Sequence, residues 1–190
     1  MNICGILLAA GASTRFGSDK LLHPLGDGRA VAVTALANLR AALPDVIAVV
    51  RPGVPLLEEC LRKAGATVVQ CQDADQGMGT SLATAVRASA AAAGWVIALA
   101  DMPYIRPETI TQTAAALAAG AAIAAPAYRG ERGHPVGFSS RFRRELEALR
   151  GEEGARTLLK RYAHLVRLFE VDDPGVRRDI DTPADLMPNS

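Results

Sequence analysis

Short uninterrupted apolar runs alternate along the chain with longer segments in which apolar positions recur every three or four residues. ICGILLA at 3–9, VIAVV at 46–50, ATVVQ at 66–70 and WVIALA at 95–100 are of the first kind. Strands that are apolar throughout, not on one side only, are covered on both faces, as in a parallel sheet packed between helices. The second kind predicts helices at 30–43, stopping ahead of Pro44, and at 54–64, closed by Gly65. It predicts further helices at 79–93 and at 107–119, the latter opened by Pro107 and Glu108 and ended at Gly120. AAIAAPA at 121–127, PVGF at 135–138 and LVRLFEV at 165–171 add strands, with helices near 140–149 and 154–163. Strands alternating with helices predict an α/β fold: a single three-layer Rossmann-like domain, residues 1–190, with a mostly parallel sheet.

Composition narrows this picture. The 190 residues are 49% hydrophobic but only 4% aromatic, so the core must be built from Ala, Val, Leu and Ile. With 21 basic against 20 acidic side chains there is no bulk electrostatic reason to bind nucleic acid or an anionic membrane. Cys4, Cys60 and Cys71 are odd in number and widely spaced, which excludes a disulfide framework and a CxxC metal site. Reduced thiols in a cytoplasmic protein are expected. Apolar runs such as 88–100 fall short of the roughly 18 residues a membrane span needs. The apolar N-terminal run lacks a basic leader and ends in a polar glycine-rich loop, unlike a signal peptide. A soluble protein is expected.

The sharpest candidate chemistry lies in LLAAGASTRFGSDK at 7–20, where a buried strand runs into Ala9, Ala10, Gly11, Ser13, Arg15, Gly17 and Lys20. Glycines allow backbone N–H groups to converge on phosphate oxygens, and Arg15 and Lys20 add positive charge. The spacing fits neither GxxxxGK[ST] nor GxGxxG, so this would be a phosphate cradle of another design. An ordinary strand-to-helix turn with solvated charges is the alternative. In ALADMP at 98–103 an apolar strand ends abruptly in Asp101. Ligands of open α/β sheets bind outside the carboxyl ends of the strands, and Mg²⁺ takes one or two carboxylates plus substrate phosphates. A turn-forming Asp before Pro103 is the alternative; position at the strand end favours the metal.

Three other segments are weaker candidates. In RRDIDTPADL at 177–186, Thr182, Pro183 and Asp185 read as the cap and first turn of a helix, which leaves Asp179 and Asp181 unexplained. If extended they face one side, and one or both could complete the Mg²⁺ site; a solvated segment balanced by Arg177 and Arg178 is the alternative. In QGMGTSLATAV at 76–86, Gly77, Gly79 and Ser81 offer a wall for a nucleobase or ribose, although a turn with Thr80 or Ser81 capping the next helix explains the same residues. In RGERGHPVGF at 129–138, Gly133, His134 and Pro135 form a shaped loop between charges. No Ser or Cys partner makes His134 a triad base, so contact with an anionic or polar acceptor is the better functional reading.

Taken in order, LLAAGASTRFGSDKLL, ALADMP, GHP and DIDTPADL resemble the nucleotidyltransferases that complete the molybdenum cofactor, over nearly the whole chain. The resemblance implies a fold of the nucleotide-diphospho-sugar transferase type and transfer of a nucleoside monophosphate from an NTP with release of pyrophosphate. Ala9-Ala10-Gly11 in place of a double glycine, and GMGTSL, resemble the cytidylyl branch. This implies CTP and molybdopterin as substrates, Mg²⁺ on Asp101 and Asp181, and catalysis assisted by Arg15 and Lys20. It further implies acceptor contacts from Gly133, His134, Pro135 and Asp179, and a recipient molybdoenzyme as a possible partner. A guanylyltransferase or sugar-phosphate nucleotidyltransferase of the same fold is the nearest alternative. A non-catalytic cofactor-binding assembly factor is a further one.

Overall fold

In the computed structural model, which describes residues 1–11, 20–152 and 154–186, the apolar runs form one sheet. Its strands are β1 (Ile3–Ala9), β2 (Val46–Val50), β3 (Thr67–Gln70), β4 (Gly94–Leu99), β5 (Ile123–Tyr128), β6 (Glu131–Arg132), β7 (Val136–Ser139) and β8 (Val166–Glu170). The spatial order is β3-β2-β1-β4-β7-β5-β6, with β8 paired to β5. The β1–β2, β2–β3, β1–β4 and β5–β8 pairs are parallel, and β7 is antiparallel to β4 and β5. The expected α/β architecture, with a mostly parallel sheet, is what the chain adopts.

Burial on both faces explains why the strands are apolar throughout. Along β2, Val46, Ala48 and Val50 enter one core cluster, whereas Ile47 and Val49 enter the other. The first cluster holds side chains of α1 (Val31–Ala42), α2 (Pro55–Lys63) and α4 (Pro107–Ala118), among them Leu36, Leu61 and Ile110. The second holds Leu82 and Val86 of α3 (Met78–Ala88), Leu146 of α5 (Arg143–Glu147) and Leu158 of α6 (Arg156–Arg161). Side chains alternate across each strand, so a helix layer covers each face.

Some helices are shorter than their patterns predict. α3 stops at Ala88, because the Ser89 hydroxyl donates back to the Ala85 carbonyl at 2.8 Å and accepts the Trp95 indole N–H at 2.8 Å. The expected helix at 140–149 is a 3₁₀ turn, Ser140–Phe142, followed by α5. That at 154–163 is α6 followed by the 3₁₀ turn Ala163–Leu165. The expected C-terminal helix is a 3₁₀ turn, Pro183–Leu186, in which Asp185 does the capping: its Oδ2 accepts from the Thr182 N–H and hydroxyl at 2.7 and 2.8 Å. Cys4, Cys60 and Cys71 are all free. Among the described residues no helix is long and apolar enough to cross a membrane.

The topology fixes where a ligand goes. From β1 the chain moves outward through β2 to β3, then returns to place β4 on the other side of β1. The connections leaving β1 and β4 therefore part, and a crevice opens outside their carboxyl ends. A C-terminal strap, residues 173–181, crosses the same edge. Asp173, buried, anchors it by accepting from the Thr109 hydroxyl at 2.7 Å and from the N–H groups of Arg106 and Gly175 at 2.9 and 3.0 Å.

Candidate active site

A cleft of about 600 Å³ lies at the switch point, lined by Ala10 and Gly11 after β1, Arg51 after β2, Gln72 after β3, and Asp101 after β4. A nucleotide-sized ligand fits such a volume. Ala9 is buried within β1 beneath it. Ser13, Arg15 and Gly17 lie outside the described residues.

Lys20, at the start of a 3₁₀ turn Lys20–Leu22, is 8% exposed, which is unusual for a lysine. Its Nζ donates to Asp101 Oδ2 at 2.9 Å and to Asp181 Oδ1 at 3.4 Å. The strap delivers the second carboxylate. The Ile180 N–H donates to the Asp101 carbonyl at 2.9 Å, and the Ile180 side chain is buried with Val31. Asp179 and Asp181 flank this buried residue and have different surroundings: Asp181 meets Lys20, while Asp179 is exposed and its charge reaches His134.

Two carboxylates converging on one ammonium make a site that already holds a cation. Hard oxygen donors of this kind suit Mg²⁺ or Mn²⁺, with phosphates and water completing the shell. Among the described residues no third acidic, His or Cys side chain joins them.

The glycines of the 76–86 segment have a use that the sequence reading did not assign. α3 begins at Met78, so Thr80 and Ser81 lie inside it and neither caps it. Gly77 stands at φ +107°, and a Cβ there would lie 2.5 Å from the carbonyl carbon of Gly151. Gly79 donates its N–H to the Gly151 carbonyl at 2.8 Å. These glycines admit the backbone of the 150–152 loop, which brings Glu152 to the cleft. Gly77 and Ser81 line the cleft, whereas Gly79 faces Arg150 and Gly151. Arg51, Gln72, Asp75 and Glu152 are lining residues that motif reading missed. Arg51 and Gln72 were findable, since each follows a strand at its carboxyl end; Glu152 carries no local signal.

Gly133, His134 and Pro135 sit farther along the same edge. The β4–β7 register pairs Ile97 with Val136, which puts His134 level with the end of β4. The His134–Pro135 peptide is cis. The His134 N–H donates to the Val176 carbonyl at 2.8 Å, so this loop too is tied to the strap. Burial pushes the His134 imidazole down to about 4, with the Arg132 charge acting in the same direction and Asp179 against it. The imidazole is therefore neutral at physiological pH, able to donate one N–H and accept at the other nitrogen.

Comparison with known proteins adds to this geometry. Residues 5–166 match a family described as the MobA-like NTP transferase domain. Purine catabolism protein PucB of Bacillus subtilis (strain 168) is 33% identical over 194 residues, spanning 96% of this chain and 93% of its own. A probable molybdenum cofactor guanylyltransferase of Geobacillus sp. (strain WCH70) is 31% identical over 114 residues, 59% of this chain and 56% of its own. A crystal structure of Rv0371C from Mycobacterium tuberculosis H37Rv in complex with manganese superposes with a TM-score of 0.80 at 30% identity, covering 97% of this chain and 96% of that one.

Proposed function

The chain belongs to the MobA-like NTP transferase family, and on that premise we propose that it transfers CMP from CTP to the terminal phosphate of molybdopterin, releasing pyrophosphate. The observation that carries the reading is the convergence of Asp101 and Asp181 on Lys20, with Lys20 and Asp101 lining the switch-point cleft. An oxygen of the acceptor phosphate attacks the α-phosphorus of the nucleotide in line. The bond from the α-phosphorus to the bridging oxygen breaks, and its electrons leave with pyrophosphate. The attacking oxygen is already anionic, so no general base is needed. Asp101 and Asp181 would hold a divalent ion, which neutralises phosphate charge when bound. Lys20 supplies the second positive charge, with Arg15 and the backbone amides of the Gly11–Gly17 loop, Ser13 included, around the triphosphate. The nucleoside lies along Ala10, Gly77 and Ser81, which line the cleft, while Ala9 is buried in β1 and Gly79 seats the 150–152 loop. The acceptor approaches from Gly133, His134, Pro135 and Asp179, and the product passes to a molybdoenzyme.

CTP is favoured by Ala10, where guanylyl members carry a second glycine, and by GMGTSL at 77–82. GTP is the second reading, supported by the partial likeness to a relative named as a guanylyltransferase. The test is pyrophosphate release with molybdopterin as acceptor, comparing CTP, GTP and ATP, with Mg²⁺ present and then chelated. Release with CTP, abolished by chelation, is the expected result. Release with GTP alone would keep the chemistry and overturn the base assignment; release with none would overturn the acceptor.

A further inference from the structure

At the end of the cleft farthest from Asp101, one side chain has its direction set from outside the cleft. Gln72 follows β3 and lines the cleft wall. In the strand order β3-β2-β1-β4 that end lies three strand spacings from β4, roughly 14 Å at about 4.8 Å each. A nucleotide with its phosphates beside Lys20 and Asp101 therefore points its base toward Gln72. The Gln72 Nε2 donates to Gln70 Oε1 at 3.4 Å. Gln70 Nε2 in turn donates to Glu58 Oε1 at 2.5 Å, and Glu58 Oε2 accepts from Arg62 Nη2 at 2.7 Å.

A side-chain amide donates from one end and accepts at the other, so its direction follows its partners. Here the direction is fixed at the root of the chain of bonds. Glu58 of α2 is buried, and hydrogen bonds from Gln70 and Arg62 hold its carboxyl below the usual carboxylate range. An ionised carboxylate only accepts, so Gln70 must offer it the Nε2 end. That leaves Gln70 Oε1 to face Gln72, which must answer with an N–H. Gln72 keeps its Oε1 and the second N–H of Nε2, and among the described residues neither has a partner. Presented in that order, the two match the N4 amino group and the N3 acceptor of cytosine. Uracil has the same size and the same glycosidic bond but the reverse order, an O4 acceptor beside an N3–H donor. It would set oxygen against oxygen and N–H against N–H, and a site built to pair one pattern rejects the other.

We propose that Gln72 is the residue by which the cleft takes CTP and rejects UTP, and that Glu58 and Gln70 are positioning residues that hold its amide in the cytosine-reading direction. The inference rests on the CTP reading above and deepens it; it does not depend on the acceptor. Shape and phosphate contacts cannot separate these two nucleotides, so the order of donor and acceptor on the base is the difference left to read.

The experiment measures binding of CTP, UTP and GTP with Mg²⁺ to the whole chain, without acceptor, by isothermal titration calorimetry. The wild type should bind CTP at least about tenfold more tightly than UTP, the scale of a satisfied hydrogen bond set against an opposed pair. Gln72→Leu should lose most of that ratio, chiefly by weakening CTP. Gln70→Met alters an exposed side chain outside the cleft lining and frees the Gln72 amide to turn. It should cut the ratio about fivefold, with UTP gaining affinity. Glu58→Gln, which can present either end to Gln70, should act in the same direction; a merely structural loss would weaken both nucleotides alike. Far-UV circular dichroism confirms that the variants fold. Equal affinity for CTP and UTP in the wild type, or an unchanged ratio in Gln72→Leu or in Gln70→Met, overturns the inference and leaves the CTP reading standing. Binding of GTP with neither pyrimidine nucleotide overturns the CTP reading and this inference with it.

Discussion

Replacing Lys20 by methionine tests what the Lys20–Asp101–Asp181 cluster is for. The thioether preserves the length of the buried stem and removes the ammonium that lies 2.9 Å from Asp101 and 3.4 Å from Asp181. The Lys20 and Asp101 side chains are 10% and 26% exposed, so screening between them is weak. After desolvation is set against attraction, such a charge-assisted pair contributes about 1.5–3 kcal/mol. A divalent ion entering the nucleotide-free protein must displace the ammonium and forgo that contribution. In Lys20→Met it meets two carboxylates with no resident cation, so Mn²⁺ should bind roughly 10- to 100-fold more tightly, by the same energy converted to affinity. Turnover should fall, because the charge offered to the triphosphate is gone. The two effects have opposite signs, which simple unfolding cannot mimic. Free Mn²⁺ measured by electron paramagnetic resonance, without nucleotide, gives the affinity. Thermal denaturation gives a second readout: the variant should be less stable than wild type in chelator and regain stability when Mn²⁺ is added. Mn²⁺ affinity equal to or weaker than wild type would refute the reading and leave Lys20 as a structural counter-ion.

Other substitutions probe the same assembly. Asp101→Asn should fold normally yet lose turnover by at least ~10²-fold, the scale of one well-placed electrostatic stabiliser; retained pyrophosphate release would remove Asp101 from the mechanism. Asp173→Ala leaves three donors without their acceptor, those of Thr109 and Gly175 buried, and should cost about 3 kcal/mol, lowering Tm by about 6–12 °C. It should also raise the KM for metal–nucleotide by loosening the strap that carries Asp181; an unchanged Tm in calorimetry would contradict the anchoring role. His134 should make stability pH-dependent. In the unfolded chain it takes up a proton near the ordinary 6.5, whereas in the folded chain it resists until about 4. Stability should therefore be unaffected above about 6.5 and fall by up to about 3 kcal/mol as the pH drops toward 4. His134→Gln should flatten that part of the urea-denaturation profile, and an identical slope in the variant would show that the imidazole is not shielded.

The central strands and Asp101 were legible in the sequence because each announces itself locally: two-sided burial makes a run apolar, and an acid at its end breaks it. Lys20 was legible as a charge, but its partners were not, being 81 and 161 positions away. The strap that joins them is marked only at its end, by the DIDTPADL string from Asp179 on; nothing in residues 173–176 announces its course. Its ties to the Asp101 carbonyl and to His134 use main-chain groups of Ile180 and Val176, and any residue but proline offers the same N–H at Ile180. The side-chain signals that remained, two aspartates around an isoleucine, are shared by many solvated segments. Gly77 and Gly79 show the converse: a conspicuous local pattern whose cause, the backbone of Gly151, lies more than seventy residues on. Sequence reading finds residues whose chemistry is set by their own strand or turn. It does not find the main-chain ties that carry the strap across the sheet edge, and in this chain those ties set Asp181 beside Asp101 on the one ammonium of Lys20.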